Sequence, residues 1–404
     1  MGGFRRFLTF ALVALALPGW MAAPTSAASS RGAERVEGSY IVSVSVGGKL
    51  SASRARAIAA DHGGRAVHVY PRLRAFAFEG GDGAESSLRR DGRVTDVEAD
   101  RLVHATSDPI PDLKHLTRTD SYQAHQSAYT GQGVTIAVVD TGVEAGHSVF
   151  DHGQVVAGKA CVKGGTDDRE GHGTATAGNA AGRAGVAHLA TIVPVRVFPN
   201  NSLSTTISKV VCGLNWVEEQ NDLVPGAIDV VNLSLAFSGG SKALKRAVGR
   251  VVASGATVVA AAGNNGGALQ APARYAGVIS VSALGGGTKL ASFSAKGADM
   301  TAPGVKVYSP ENGAGDGFSY RSGTSRAAPI VAGVAAIILA ANPTADVLAI
   351  LRTSGRCPNG ETNGGPGFCP GRWQRDDRNA EPLANAYCAG IWADPLSTDP
   401  DCGD

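Results

Sequence analysis

Four short segments carry residues able to act together on a carbonyl group. Asp140 follows the apolar run Val138-Val139 and precedes Thr141-Gly142-Val143, so a carboxylate ends a buried strand just before a glycine turn. His172 lies within Glu170-Gly171-His172-Gly173-Thr174-Ala175-Thr176-Ala177-Gly178, opening a helix of small residues able to approach a sheet closely. Ala261-Ala262-Gly263-Asn264 presents an amide after another strand, and Ser322-Gly323-Thr324-Ser325-Arg326-Ala327-Ala328-Pro329 puts a hydroxyl in the first turn of an apolar helix. Pro329 is expected to be tolerated there because the first N–H groups of a helix lack intrahelical partners. Taken singly, each segment also reads as a cap, a turn or a strand end. Jointly they provide a weak nucleophile, a base to take its proton, an acid to orient the base and an amide donor for an oxyanion. Asp, then His, then Ser is one of the known chain orders of a hydrolase triad.

The scaffold that must hold these residues is legible from Gly131 onward. Runs rich in Val and Ala at Val134–Val139, Ile192–Val197, Val230–Leu235, Thr257–Ala262 and Val278–Ala283 alternate with helical stretches at Ile207–Glu219 and Lys242–Ser254. Continuous apolar strands mean burial on both faces, which predicts an α/β fold: a three-layer, mostly parallel sheet with helices on both faces. In such sheets chemistry gathers at the carboxyl ends of the strands, where Asp140 and Asn264 fall.

A different piece precedes it. Tyr40–Val46 alternates like a half-buried strand, Ser51–His62 has helical spacing, Ala66–Tyr70 and Leu73–Phe78 form a strand pair hinged at Pro71, and Asp82–Arg90 and Val94–Glu98 follow as helix and strand. That order, β-α-β-β-α-β, predicts a small ferredoxin-like α+β domain. Residues 1–105 carry 14 Lys and Arg against 10 Asp and Glu, while 106–404 carry 23 against 25, so the two pieces differ in charge. The stretch Thr106-Ser107-Asp108-Pro109-Ile110-Pro111 between them reads as an exposed linker.

Composition narrows the function classes. With 43% hydrophobic and 18% charged residues the 404-residue chain has the make-up of a folded protein rather than a disordered one. A net charge of +2, without clustered Lys and Arg, argues against nucleic-acid and acidic-lipid partners. Arg5-Arg6, the apolar run Phe7–Leu17 and the small residues through Ala28 form the three regions of a signal peptide, predicting a secreted, soluble product. The apolar run is too short for a membrane anchor. Six Cys in an exported chain are expected to form disulfides, with fifteen connectivities open. Cys161 with Cys212 is the preferred pair because both lie within the α/β region, and Cys357–Cys369 and Cys388–Cys402 are two plausible local loops.

VVDTGV at 138–143, GHGT at 171–174, AAGN at 261–264 and SGTSRAAP at 322–329 resemble, in order, the four signature segments of the subtilisin-like serine proteases, the subtilases. The likeness covers most of residues 107–352. It implies a serine endopeptidase with Asp140, His172 and Ser325 as triad and Asn264 in the oxyanion hole. It further implies substrate binding along Leu233-Ser234-Leu235-Ala236 and, on a second edge, Leu203-Ser204-Thr205, with Gly263, Gln270 and Arg326 lining pockets. The N-terminal piece is similar to the family's inhibitor-type propeptide. The expected division is therefore a signal peptide at 1–28, a propeptide at 29–106 acting as intramolecular inhibitor and chaperone, a peptidase domain at 107–356 and a Cys-containing extension at 357–404. Protein or peptide is the expected substrate, the enzyme is expected to be monomeric, and no cofactor is required for the chemistry. Asp167 and Asp168 are candidate ligands for the structural calcium that many subtilases carry, or belong to a solvated loop; no metal ligand is assigned.

Departures from the family pattern bear on specificity. Arg326 stands where Met, Phe or Ala is usual, a long cation on the leaving-group side, and Leu235-Ala236-Phe237 replaces Leu-Gly-Gly, which should narrow adjoining pockets. Ala271-Pro272 aligns with a peptide bond the family often holds cis. His147 and His152 are expected in surface or turn roles. An α/β-hydrolase reading fails because that fold needs its Asp and His after the Ser, whereas the last His here is His188. A weakly catalytic binding protein and a narrow processing protease are the alternatives.

Overall fold

The computed structural model describes residues 35–105, 119, 121–286, 289–313, 317–354, 384, 389 and 393. Residues 1–34 with the expected signal peptide, residues 106–118 with the expected linker, and most of the expected C-terminal extension, including Cys357, Cys369, Cys388 and Cys402, lie outside them.

Residues 35–105 form β1 (Arg35–Val44), α1 (Ala52–Asp61), β2 (Gly64–Tyr70), β3 (Ala75–Gly80), α2 (Ala84–Arg89) and β4 (Val94–Ala105), the expected β-α-β-β-α-β order. Ser51 caps α1 by accepting from the Arg54 N–H. The strands pair antiparallel in the order β4-β1-β3-β2, and Phe76, Phe78, Ile58 and Leu88 fill the core under the two helices.

The second region continues with α3 (Ser121–Gln126), β5 (Thr135–Asp140), β6 (Lys159–Ala160), α4 (His172–Ala181), β7 (Thr191–Arg196), β8 (Ser204–Thr206), α5 (Ile207–Leu223), β9 (Val230–Leu233) and β10 (Leu235–Ala236). Then come α6 (Lys242–Ala253), β11 (Thr257–Ala261), β12 (Val278–Leu284), β13 (Met300–Pro303), β14 (Val307–Pro310), β15 (Phe318–Arg321), α7 (Thr324–Ala341) and α8 (Val347–Ser354). Seven strands form one parallel sheet in the order β13-β12-β11-β9-β5-β7-β6. The five strands anticipated from apolar runs are at its centre, each within one or two residues of its expected bounds. Only crossover connections can join parallel strands, so helices cover the faces: α4 and α7 pack with one apolar cluster, α5 and α6 with the other. The helix α7 is apolar and long enough to cross a bilayer, and it is instead 83% buried within the fold.

Cys161, just after β6, and Cys212 on α5 form a disulfide, the preferred pair. In the expected C-terminal extension, Ala384, Ala389 and Ala393 are buried in the same cluster as α7, and the Ala384 N–H donates to the Thr301 carbonyl on β13, so these positions pack on the core of the second region.

The strand β4 exceeds its expected end at Glu98 by seven residues. The reason is tertiary: Ala99 and Arg101 pair with β1, and the last four residues pair antiparallel with β8, Leu102 to Thr206 through His104 to Ser204, and with β10, Ala105 to Leu235 and His104 to Ala236. A strand whose partners come from distant sequence gives no local sign of its length. Two carboxylates of β4 reach helix N-termini of the second region. Asp100, fully buried, accepts from the Ser208 N–H at 3.0 Å, from the Ser208 hydroxyl and from Ser39 Oγ, and Glu98 accepts from the Ala243 N–H at 3.0 Å. Neither α5 nor α6 has an acidic residue in its own first turn, so the N-terminal domain supplies the negative charge their dipoles favour. Tyr70 adds a hydroxyl donated to the Ser208 carbonyl at 2.7 Å.

Candidate active site

Asp140 is the last residue of β5 and is fully inaccessible, with its Oδ1 accepting from the Thr141 N–H at 2.7 Å. His172 is the first residue of α4, and its Nδ1 lies 2.8 Å from Asp140 Oδ1 and 3.0 Å from Oδ2. A carboxylate can only accept, so Nδ1 carries the proton and Nε2 is left as the basic nitrogen. The approach of α4 to the end of β5 depends on Gly173: a Cβ there would meet the Gly142 carbonyl oxygen at 2.0 Å. The His172 N–H is itself received by Glu170 Oε2 at 3.0 Å. Burial raises the Glu170 pKa, with the nearby carboxylates of Asp140 and Asp168 acting in the same direction and His172 opposing.

The loop before α4 is organised by a residue the sequence left as a calcium or solvated-loop candidate. Asp168 is buried, and its carboxylate accepts from Thr141 Oγ1, the Glu170, Gly171 and Thr174 N–H groups and Thr174 Oγ1, all between 2.7 and 2.9 Å. It acts as an internal cap tying the Asp140 turn to the His172 helix. Asp167 is exposed and pairs with Arg169. Among the described residues no cluster of three or more His, Cys, Asp or Glu could hold a metal ion. Arg196, which sequence reasoning missed, is buried at the end of β7 beside Asp140 and donates to the Asp167 carbonyl at 2.9 Å and the Phe198 carbonyl at 3.2 Å. A charge closing a Val-rich strand was its one sequence signal.

Ser325 occupies the first turn of α7 and is fully buried. Pro329 falls past that turn, contrary to expectation: its missing N–H would have bonded the Ser325 carbonyl four residues back. The Ser234 hydroxyl takes its place, donating to that carbonyl at 3.0 Å and held in turn by Asn232 Nδ2 at 2.9 Å. Asn264 follows β11, and its Oδ1 accepts from the Thr324 N–H at 3.0 Å and Thr324 Oγ1 at 2.9 Å. With the oxygen so engaged, the amide NH₂ is the group left to face the cleft. Ser325 Oγ and His172 Nε2 are both buried, and neither has a hydrogen-bond partner among the described residues.

The remaining expected positions fall around this cluster. Leu233 is buried in β9, and Leu235 and Ala236 are the two residues of β10. Gly263 has φ +111°, and a Cβ there would overlap Gln270 Oε1 at 2.2 Å, so the glycine admits the Gln270 side chain. Ala271–Pro272 is cis. Phe237 is buried with Ala271, Ala273 and Tyr275 and pairs by backbone with Ala271. His147 is also buried rather than on the surface: its Nδ1 accepts from the Val149 N–H at 3.0 Å, a turn role, while Nε2 lies 3.2 Å from the Gly317 carbonyl. His152 is exposed.

Comparison with known proteins agrees with this architecture. The profile of the subtilase family matches residues 131–353. Subtilisin E of Bacillus subtilis (strain 168) is 33% identical over 350 residues, spanning 82% of this chain and 88% of the relative. Subtilisin DY of Bacillus licheniformis is 38% identical over 274 residues, 64% of this chain and 93% of the relative. The M-protease of Shouchella clausii (strain KSM-K16) is 34% identical over 289 residues, 69% and 72% respectively. A parallel α/β sheet, a family match over its whole length and relatives covered nearly end to end establish that the chain belongs to the subtilase family and is a serine endopeptidase.

Proposed function

We propose that the chain is made as a secreted precursor whose residues 29–106 inhibit it until they are cleaved off, and that Asp140, His172 and Ser325 then hydrolyse peptide bonds through an acyl-enzyme. The observation that carries this reading is the position of β4. The end of the N-terminal domain lies between β8 and β10, the two edges expected to take substrate, and stops at Ala105 opposite Leu235. The next residue of that edge, Ser234, is bonded to the nucleophile's own carbonyl. The chain thus presents itself to Ser325 as an extended strand, held by main-chain bonds that read no sequence.

In the reaction His172 Nε2 takes the Ser325 proton as Oγ attacks the substrate carbonyl, and later gives it to the leaving amine. Asp140 holds the tautomer that makes this possible and stabilises the imidazolium. The oxyanion is received by the Asn264 amide and the Ser325 N–H, which helix geometry leaves without an intrahelical acceptor. Water, deprotonated by His172, then cleaves the acyl-enzyme and Ser325 recovers its proton, with the same Asn264 amide and Ser325 main-chain N–H receiving the oxyanion. The lack of a hydrogen bond between Ser325 and His172 fits a precursor, since such bonds tighten when substrate is bound.

Export rests on the leader at 1–28, and maturation is placed between His104 and Pro111, with the product acting as a monomer outside the cell. Ser325→Ala in the full-length chain should leave a folded precursor that retains its N-terminal domain. Spontaneous maturation of that variant would remove Ser325 from the role of nucleophile.

A further inference from the structure

The N-terminal domain meets the second region largely through complementary charges. Asp96 on β4 pairs with Lys242 at 3.2 Å, and Arg72 pairs with Glu218 at 3.5 Å. At one place the pattern reverses. A cavity of about 470 Å³ opens between β1, α2 and β4 on one side and α6 on the other, lined by Arg35, Arg89, Arg101, Lys242 and Lys245 together with Asp96 and Glu98. These cations come from four elements far apart in the chain, so no run of Lys and Arg in the sequence announces them.

Their placement is costly as it stands. Arg35 on β1 and Arg101 on β4 are directly opposite in the antiparallel ladder, which sets like charges side by side on one face of the sheet. Lys242 and Lys245 line the same cavity from α6, and a spacing of three puts them on one face of that helix. The carboxylates are committed: Glu98 accepts from the Ala243 N–H at 3.0 Å, Asp96 holds Lys242, and outside the cavity Glu85 takes Arg89 at 2.7 Å. Even with Glu85 counted, cations outnumber carboxylates around the cavity. Glu98 already serves the N-terminus of α6, so any further anion must be recognised by the side chains. A multivalent anion seated between the two regions would turn their repulsion into attraction, because guanidinium and ammonium groups both donate to phosphate-type oxygens.

We propose that this cavity binds a small multivalent oxyanion of the phosphate or sulfate type, which bridges the N-terminal domain to α6. The site is complete only while the domain is docked, so binding and docking are linked: the anion stabilises the docked precursor and delays release of the domain. Nothing in the site uses Ser325 or His172, so the binding proposal stands apart from the endopeptidase reading.

The test is calorimetric titration of the full-length Ser325→Ala protein with inorganic phosphate, at an ionic strength held constant with chloride, once intact mass has shown that the N-terminal domain is still attached. One saturable site with a Kd of about 1 mM or tighter is expected, well below the concentrations at which phosphate stabilises proteins by exclusion from their surface. Arg35→Gln combined with Lys245→Gln, both at exposed positions, should weaken binding about tenfold or more, whereas Lys163→Gln, an exposed site outside the cavity, should leave it unchanged. Absence of saturable binding up to about 10 mM phosphate, or binding that the double substitution leaves unchanged, overturns the proposal. Retention on phosphatidylglycerol vesicles without any response to free phosphate also overturns it, since the cations would then serve a membrane surface.

The linkage is read in the wild-type precursor. Phosphate should delay the onset of peptide hydrolysis severalfold relative to chloride at equal ionic strength, and the double substitution should abolish the delay. No delay, or an equal delay in that variant, overturns the linkage. A wild-type protein that cuts no peptide in either salt defeats the endopeptidase reading, while the calorimetric result still decides the anion site.

Discussion

Two regions around Ser325 differ in what they present. In one, β8 and β10 offer main-chain groups and hold β4, whose bonds would form equally with other sequences. The other region is charged: Arg326, next to the nucleophile, is buried with its Nε and Nη1 lacking hydrogen-bond partners among the described residues, and Arg321 and Glu170 act on it electrostatically. A backbone edge can be occupied by any extended chain, including the protein's own. The strand edges are thus suited to holding the N-terminal domain whatever its side chains.

Variants can separate chemistry from docking. The largest effect is expected for Asp140→Asn, which leaves β4 docked but frees His172 to adopt the wrong tautomer; kcat should fall by a factor on the order of 10⁴. Asn264→Ala should lower kcat by about 10²–10³ with KM nearly unchanged, because its amide acts on the oxyanion and not on the bound strand. An equal loss in binding would show that Asn264 also shapes the ground state.

Asp100→Ala should do the reverse, leaving peptide hydrolysis by the matured enzyme intact. It removes the acceptor of the Ser208 N–H and hydroxyl, and should weaken docking of the N-terminal domain by about 1–3 kcal/mol, read from denaturant unfolding of the Ser325→Ala precursor. The pH dependence has a definite sign. Burial raises the Asp100 pKa despite the opposing hydrogen bonds, so its contribution to docking is full below the ordinary carboxylate value and is lost as pH rises through the docked value. His68 is depressed by burial and by Lys209 and Lys159, so its contribution is present above the ordinary imidazole value and is lost as pH falls towards the depressed one. Docking should therefore weaken on both flanks, and Asp100→Asn should remove the alkaline flank only.

Much of this fold could be read from sequence because its central strands are buried on both faces and appear as unbroken Val and Ala runs. The residues at their carboxyl ends were legible for the same reason, since Asp140 and Asn264 interrupt those runs at fixed places. The features that escaped depend on distant partners. The last four residues of β4 are strand because β8 and β10 lie beside them, and nothing local in Leu102–Ala105 states that. Asp168 looked like a surface carboxylate until the Thr141 turn and the start of α4 were placed around it. Pro329 was identified as compatible with a helix start, but its consequence, a carbonyl freed for Ser234, required knowing which strand passes Ser325.

The most direct measurement is peptide mapping of matured wild-type protein after reaction with a phosphonofluoridate, recording both the labelled residue and the new N terminus. A single adduct on Ser325 and an N terminus created between His104 and Pro111 are the expected result. An adduct on another residue, or a first cut inside residues 35–103 or beyond Pro111, would contradict a chain that presents the end of β4 to its own nucleophile.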